Sequence, residues 1–416
     1  MPITDTAPTM AGAMSETLSA MVDALVGIDA TISGLMAVRT ELLENMRTWS
    51  ELSESAALHS TPTSRDLAFR SLRAEVACAL RVPERTAERL FGEGRMLMRD
   101  LPGTMSALRA GEIGYRHAQA MVDHGAGLDP EDLRTFERLA LPIAATSTPS
   151  AFDRAARRLR ESMDPAHLEA RTAAAAERRE ATWMPARDGM ADLVLHLPAH
   201  EVQAIFSRAT EAAAGLRGPD EPRTLTQLRV DVMRDALLTG TFAALDGRRV
   251  RPDVFVTVPV LSLLGVTDAP ATLDGYGPIA LSTARELAGN APSFVRILTH
   301  PETGAILSVG RERYSVPRDM RTAMRVRDGT CGFFGCSRDA AFCDIDHTVD
   351  WARDGTTSIE NLAFLCRGHH TVKHQTGWRV TQGAHGVLTW ISPAGRLYVN
   401  RPSGTAGAQI TDARSV

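Results

Sequence analysis

Lysine is nearly missing from this chain: Lys373 is its one lysine, and every other member of the 46 basic residues is arginine. A bias that uniform follows most simply from a high-GC genome, so it carries no general argument for binding. No uninterrupted apolar run reaches the length of about 18 residues that marks a membrane-spanning helix. The opening MPITDTAPTM has neither the charged start nor the apolar stretch of a secretory signal. A cytoplasmic protein with no membrane partner is the expectation. Cysteine is scarce, with 5 in 416 residues, and a reducing cytosol argues against disulfides. Four of the five (Cys331, Cys336, Cys343 and Cys366) fall in one short segment, the pattern of a metal site. Cys78 stands alone and reads as a small buried apolar residue. A large charge excess is absent too. The formal net charge of -4 excludes a chain coated in positive potential but not a local basic patch. Arg311, Arg313, Arg318, Arg321, Arg325 and Arg327 form such a run, opposed by Glu312 and Asp319, directly before the cysteines. It is either a solvated helix face or a contact for nucleic acid.

The length allows more than one domain, and the texture changes along it. Residues 1–15 are small, polar and without periodicity, and read as a disordered tail. Residues 16–185 are rich in Ala, Leu, Arg and Glu. Apolar residues there recur at three- and four-residue spacing, as at Met21, Leu25, Ile28 and Ile32, which predicts a helical domain. Breaks at 61–64, 101–104, 125–130 and 146–150 divide it into helices of ordinary length. Residues 186–310 read as a mixed α+β segment continuous with the helical domain. A strand is predicted over 191–198, helices over 201–216 and 225–238, a strand-rich run over 253–260, a short helix over 281–288 and a hairpin over 294–310. Residues 311–380 hold the cysteine and histidine cluster, 381–402 form a β-rich extension, and 403–416 are a second disordered tail. The predicted fold class is therefore a multidomain α+β protein with a mostly helical N-terminal domain, a mixed middle and a C-terminal zinc-stabilised module.

Cys331-Gly-Phe-Phe-Gly-Cys336 is followed, about thirty positions later, by Cys366-Arg-Gly-His369. Zinc prefers four tetrahedral sulfur or nitrogen ligands, and each close pair can hold it from one side. Cys331, Cys336, Cys366 and His369 are thus the expected structural zinc ligands, with Cys343 as a competitor for one place. Between the pairs lies Asp344-Ile345-Asp346-His347. Strand alternation would send Asp344 and Asp346 one way and His347 the other, while His370 and His374, four apart, share a helix face. One strand end and one helix can therefore enclose a divalent ion.

The run from Arg327 to Trp378 resembles an HNH endonuclease with a ββα-metal core: paired cysteines, an Asp-His dipeptide, an Asn-Leu, then Cys-x-x-His-His-x-x-x-His. The resemblance implies a general base at His347, taking a proton from the attacking water. It implies a catalytic cation (Mg2+, Mn2+ or Ni2+) on Asp346 and His370, with His374 as third ligand or phosphate contact, and Asn361 orienting the base or helping to bind the metal. An imidazole with a pKa near 6.5 suits proton transfer close to neutral pH, and a divalent ion stabilises charge developing on phosphate oxygens. Lys373 would contact a phosphate. Arg353 either touches DNA or pairs with Asp350 or Asp354, and Arg325 and Arg327 are the remaining candidate DNA contacts.

Residues 75–90 resemble a helix-turn-helix, with Ala77 at the helix packing position and Arg81 where such motifs usually have a turn glycine. Arg85 and Arg89 would face a groove; the competing reading is a helical hairpin buried in a larger helical domain. Over about residues 20–400 the chain also resembles actinobacterial proteins that join an HNH module to a helical domain of unknown function, number 222, known from a mycobacterial repeat element. Gly275-Tyr-Gly-Pro-Ile279, Leu298-Thr-His-Pro-Glu-Thr-Gly304 and Trp390-Ile-Ser-Pro-Ala-Gly395 carry that likeness. Together these resemblances imply an endonuclease acting on double-stranded DNA, targeted by its N-terminal domain, nucleoid-associated when bound, and compatible with a homodimer. The alternative is a DNA-binding or regulatory protein that keeps the HNH fold as a zinc-stabilised binding module.

Overall fold

A computed structural model describes residues 10–55, 61–163, 167–240, 256–259, 262, 270–273, 276–289, 316, 318–350 and 355–402. The predicted hairpin over 294–310 lies outside these residues, as do Arg311, Arg313 and Arg353. Helix α1 (Met10–Ser55) is one unbroken helix of 46 residues, longer than the sequence pattern predicts and starting inside the expected disordered tail. No proline interrupts it, and Ala, Met and Leu propagate it well. Its small residues let neighbours approach. A Cβ on Gly111, whose φ is +75°, would meet Ala30 Cβ at 2.5 Å, so glycine there permits both the turn and the close crossing.

Six further helices follow: α2 (Pro62–Leu80), α3 (Glu84–Arg99), α4 (Pro102–Ala110), α5 (Tyr115–Gly125), α6 (Pro130–Thr146) and α7 (Pro149–Met163). A capping box between Thr61 and Ser64 starts α2. Arg81 ends it in the left-handed region at φ 57°, with its amide bonded back to Ala77 and Cys78. The arginine thus takes the conformation a glycine usually supplies. Leu97, Leu101, Leu108, Met121, Phe136 and Phe152 are wholly buried between these helices.

Next come α8 (Leu168–Ala176), the antiparallel pair β1 (Glu180–Pro185) and β2 (Ala191–His196), α9 (Ala199–Gly215) and α10 (Leu225–Thr239). A small antiparallel sheet has the order β3 (Val256–Thr257), β4 (Ala271–Leu273), β5 (Gly277–Ile279), and α11 (Leu281–Gly289) follows it. Ala271, Ile279 and Ala284 form its core.

The C-terminal part runs α12 (Arg318–Asp328), β6 (Asp344–His347), β7 (Leu362–Leu365), α13 (Arg367–Gln375), then β8 (Arg379–Gln382), β9 (Leu388–Ile391) and β10 (Leu397–Asn400). β6 and β7 are antiparallel, with Asp346 opposite Ala363 and His347 opposite Leu362. The last three strands form a sheet in the order β10-β9-β8. Two compact units result: Met1–Ala166 with Ser308–Ser403, and His167–Leu307 with Gly404–Val416. The helical N-terminal region and the cysteine-histidine module therefore belong to one unit. Among the described residues α1 alone is long and apolar enough, over Ser15–Ser53, to cross a membrane by length and composition.

Candidate metal centre and nuclease site

The β6–β7 hairpin and α13 make a ββα unit, and its chemistry is divided between the two faces of α13. Cys366 is the residue before the first turn of α13, and Cys331 and Cys336 lie on the loop after α12. The ligand atoms of Cys331, Cys336, Cys366 and His369 all lie within 4.8 Å of one another. His369 Nδ1 is 3.1 Å from Cys366 Sγ and 3.4 Å from Cys331 Sγ. A zinc tetrahedron built on Zn–S bonds of about 2.3 Å and Zn–N bonds of about 2.0 Å has edges of roughly 3.5 to 3.8 Å, so the donor set fits zinc. The Cys366 amide donates to Cys331 Sγ at 3.3 Å, as suits a sulfur carrying negative charge. Phe333, between the paired cysteines, stacks flat on the His369 ring at 4.1 Å, and the edges of Trp378 and Trp390 close around it. Trp390 is wholly buried and its indole N–H donates to the Gly332 carbonyl at 2.9 Å, so β9 completes the core of this module. Cys343 is buried beside the knot, its thiol donating to the Asp339 carbonyl at 3.3 Å.

The second cluster joins Asp346, His370 and His374, whose donor atoms also lie within 4.8 Å of one another. Asp346 Oδ1 is 3.2 Å from His374 Nε2 and 3.5 Å from His370 Nε2. A carboxylate and two imidazoles, with the histidines partly exposed, form a donor set that suits a divalent transition ion or Mg2+ and leaves room for an oxygen from outside. His347, next along the strand, sets Nε2 3.0 Å from the buried Thr357 hydroxyl. Burial, with help from Lys373, holds the His347 pKa below its ordinary value against the opposing pull of Asp346 and Asp350.

Three residues have places other than those the sequence suggested. Lys373 does not offer its ammonium to a phosphate. Its side chain is 8% exposed, and Nζ donates to Asp346 Oδ2 at 2.5 Å and to the His347 carbonyl. Arg327 is buried as well, with Nε 2.6 Å from Asp328 Oδ1 and Nη2 2.7 Å from the Leu362 carbonyl. Gly386 lies against it, at a point where a Cβ would come within 2.7 Å of Arg327 Nε. A guanidinium so enclosed ties α12 to β7 and cannot reach DNA. Arg325, on the same helix, is half-buried. Asn361 is not in the cation cluster. Its amide donates to the carbonyls of Val349 and Thr356, and its oxygen accepts from the Val349 amide and the Thr348 hydroxyl, at 2.8 to 3.0 Å. It clips the loop between β6 and β7 and so bears on Thr357 and His347 indirectly.

The helix-turn-helix resemblance also changes meaning. The hairpin has the expected geometry, but the first residue of its second helix, Glu84, is 2.8 Å from His369 Nε2. The helix end that would enter a groove packs instead against the cysteine-histidine cluster, while Arg85 and Arg89 stay exposed. Cys78, in the same hairpin, is buried, and burial pushes its thiol up to about 12. Sequence reasoning missed Glu84, Phe333 and Thr357. The position of Phe333 between two cysteines of the cluster was a local signal for it, whereas nothing local pointed to Glu84.

Two family models match the chain: domain of unknown function DUF222 over residues 31–328, and HNH endonuclease over residues 329–376. The uncharacterized protein Rv3776 of Mycobacterium tuberculosis is 30% identical over 374 residues, covering 79% of this chain and 70% of that protein. The uncharacterized protein Rv2100 of the same species is 35% identical over 139 residues, which is 33% of this chain and 24% of its own length. Rv1128c, also uncharacterized, is 25% identical over 162 residues, 39% of this chain and 34% of its own. No solved structure matches. The HNH match gives the C-terminal module a nucleic-acid-related, nuclease-type character. The chain belongs to the DUF222 family, in the arrangement that carries an HNH endonuclease module after the DUF222 region.

Proposed function

We propose that this protein is a metal-dependent endonuclease that hydrolyses phosphodiester bonds in double-stranded DNA, with the helical region contributing to targeting and the protein acting in the cytoplasm on the nucleoid. The observation that carries the reading is the convergence of Asp346, His370 and His374 beside His347 at one strand end. With the proton on His347 Nε2 and hydrogen-bonded to the Thr357 hydroxyl oxygen, Nδ1 is the basic nitrogen that takes the proton of an attacking water. Asp346, His370 and His374 would hold Mg2+, Mn2+ or Ni2+, which stabilises the charge that develops on the phosphate and its leaving oxygen. Lys373 fixes the Asp346 carboxylate through Oδ2, leaving Oδ1 toward the two histidines.

Plasmid incubated with the purified protein and each of the three metals should be cut. His347→Ala should lower the rate by about 10²- to 10⁴-fold, the usual contribution of a general base. No cleavage with any metal would overturn the reading. One observation favours the alternative, a DNA-binding or regulatory module: Lys373 already neutralises Asp346 without a divalent ion. Salt-sensitive DNA affinity without turnover in the same assay would establish it.

A homodimer is part of the proposal. Along α1 the exposed side chains Leu18, Met21, Leu25, Ile28, Ile32 and Leu35 alternate three and four apart, the spacing by which two like helices zip together. Asp23 and Asp29 are the only charges between Thr17 and Val38, so no run of like charge opposes a second copy. Sedimentation of the same preparation should give a dimer, and a monomer would remove this part of the reading.

A further inference from the structure

His369 is 5% exposed, so each of its ring nitrogens needs a partner inside the protein. Nδ1 faces the cysteine sulfurs. Nε2 is 2.8 Å from Oε1 of Glu84, a residue 285 positions away in sequence. Glu84 opens α3 directly after the left-handed turn at Arg81, and its Oε2 is held by Arg73 of α2 through Nε at 3.2 Å and Nη2 at 3.0 Å. Phe333 holds the other side of the imidazole. Two further contacts close the seam between hairpin and module. The Tyr398 hydroxyl donates to Glu75 Oε1 at 3.2 Å, and the Cys78 thiol approaches the Phe334 carbonyl at 3.9 Å.

We propose that Glu84 is an outer-shell partner of the zinc knot, supplied by the DUF222 region, and that it makes docking of the α2–α3 hairpin and zinc retention by the HNH module mutually dependent. The inference rests on the reading of Cys331, Cys336, Cys366 and His369 as zinc ligands, and not on nuclease activity. A carboxylate that accepts the Nε2 proton of a zinc-ligating histidine fixes the tautomer and ring orientation and raises the basicity of Nδ1. Arg73 balances the charge of Glu84, so the carboxylate is held in place without leaving a lone buried anion. Linkage makes the effect reciprocal: whatever affinity zinc gains from the docked hairpin, the docking gains from zinc. The domain of unknown function thereby has a definite task, completing the metal site of its neighbour.

The test uses the full chain as wild type, Glu84→Gln, Glu84→Ala and Tyr398→Phe. Metal analysis of the wild type comes first, and one zinc per chain is expected. A wild type without zinc would overturn the ligand reading itself. Zinc affinity is then measured by competition with a chromophoric chelator, and amide exchange over residues 73–90 with and without chelation. Glu84→Ala should bind zinc 10- to 100-fold more weakly, the usual cost of losing such a partner, and Glu84→Gln should fall between it and the wild type. Chelation should expose the amides of 73–90 in the wild type and change little in Glu84→Ala, where the coupling is already lost. Tyr398→Phe, which loosens the same seam without touching His369, should cost zinc affinity several-fold less than Glu84→Ala does. Zinc affinity of Glu84→Ala within twofold of wild type would overturn the proposal. So would hairpin exchange that ignores chelation, or a Tyr398→Phe loss equal to that of Glu84→Ala.

Discussion

His369 and His370 are neighbours in α13, yet one side chain is 5% exposed and the other 45%. A helix turns about 100° per residue, so adjacent histidines serve opposite faces. On His369's face the donors are buried, stacked against Phe333 and anchored from outside the module. On His370's face the donors reach solvent, and the carboxylate shares its charge with a lysine. The first arrangement suits a metal that is kept and the second an ion that meets a substrate. One short helix holds both because its periodicity keeps them apart.

The comparison breaks most visibly at the buried face. If the four donors hold a structural zinc, Cys366→Ser removes one of its ligands, where apparent zinc binding is worth roughly 10 kcal/mol or more. It should lose the zinc equivalent and the near-ultraviolet dichroism of Trp378 and Trp390 together. A zinc-free yet natively folded module would show that the knot is not structural. At the open face the largest stability effect should come from Lys373→Met, which leaves the buried Asp346 carboxylate without its ammonium partner and with the two histidines alone, at a cost of about 3 kcal/mol. Divalent ion added during thermal melts should restore more of that loss than it adds to the wild type. Equal metal responses in the two proteins would separate Lys373 from the cation cluster.

The smallest effect concerns the base. Thr357→Val keeps the shape but removes the acceptor for His347 Nε2, and cleavage should fall about tenfold. Burial disfavours the charged imidazole, so in the wild type the neutral base persists into mildly acidic solution. The acid limb of a cleavage profile should therefore lie below the ordinary histidine value of about 6.5. A limb at or above that value would contradict the geometry around His347.

What was legible in the sequence is what neighbours in sequence decide. The cysteine pairs, the Asp-His strand end and the four-residue spacing of His370 and His374 gave both clusters their membership. The turn at Arg81 was legible as a turn, although its use was not. Exposure was hidden, because a basic residue in a helical run reads the same whether it faces water, as Arg85 does, or seals a core, as Arg327 does. Asn361 showed the same limit: its position in the motif was plain, but its four bonds to a loop depend on a fold that the motif does not state. Long-range partners left no trace at all. Glu84 and His369 meet across 285 positions, and no periodicity links them. The length of α1 was misjudged at its start: the break at 61–64 was legible, but the small polar residues before Ser15 gave no sign that the helix begins at Met10.

Trp390 has a consequence for the order in which the molecule becomes itself. Synthesis runs from the N-terminus at about 5–20 residues per second, so Cys331 and Cys336 leave the ribosome well before the indole that packs on Phe333. A nascent chain that has just released His374 holds all the donor atoms of both clusters but lacks the strand that fills their shared core. A chain stopped short of β9 therefore carries the donor atoms of both clusters without the packing that would hold them in register.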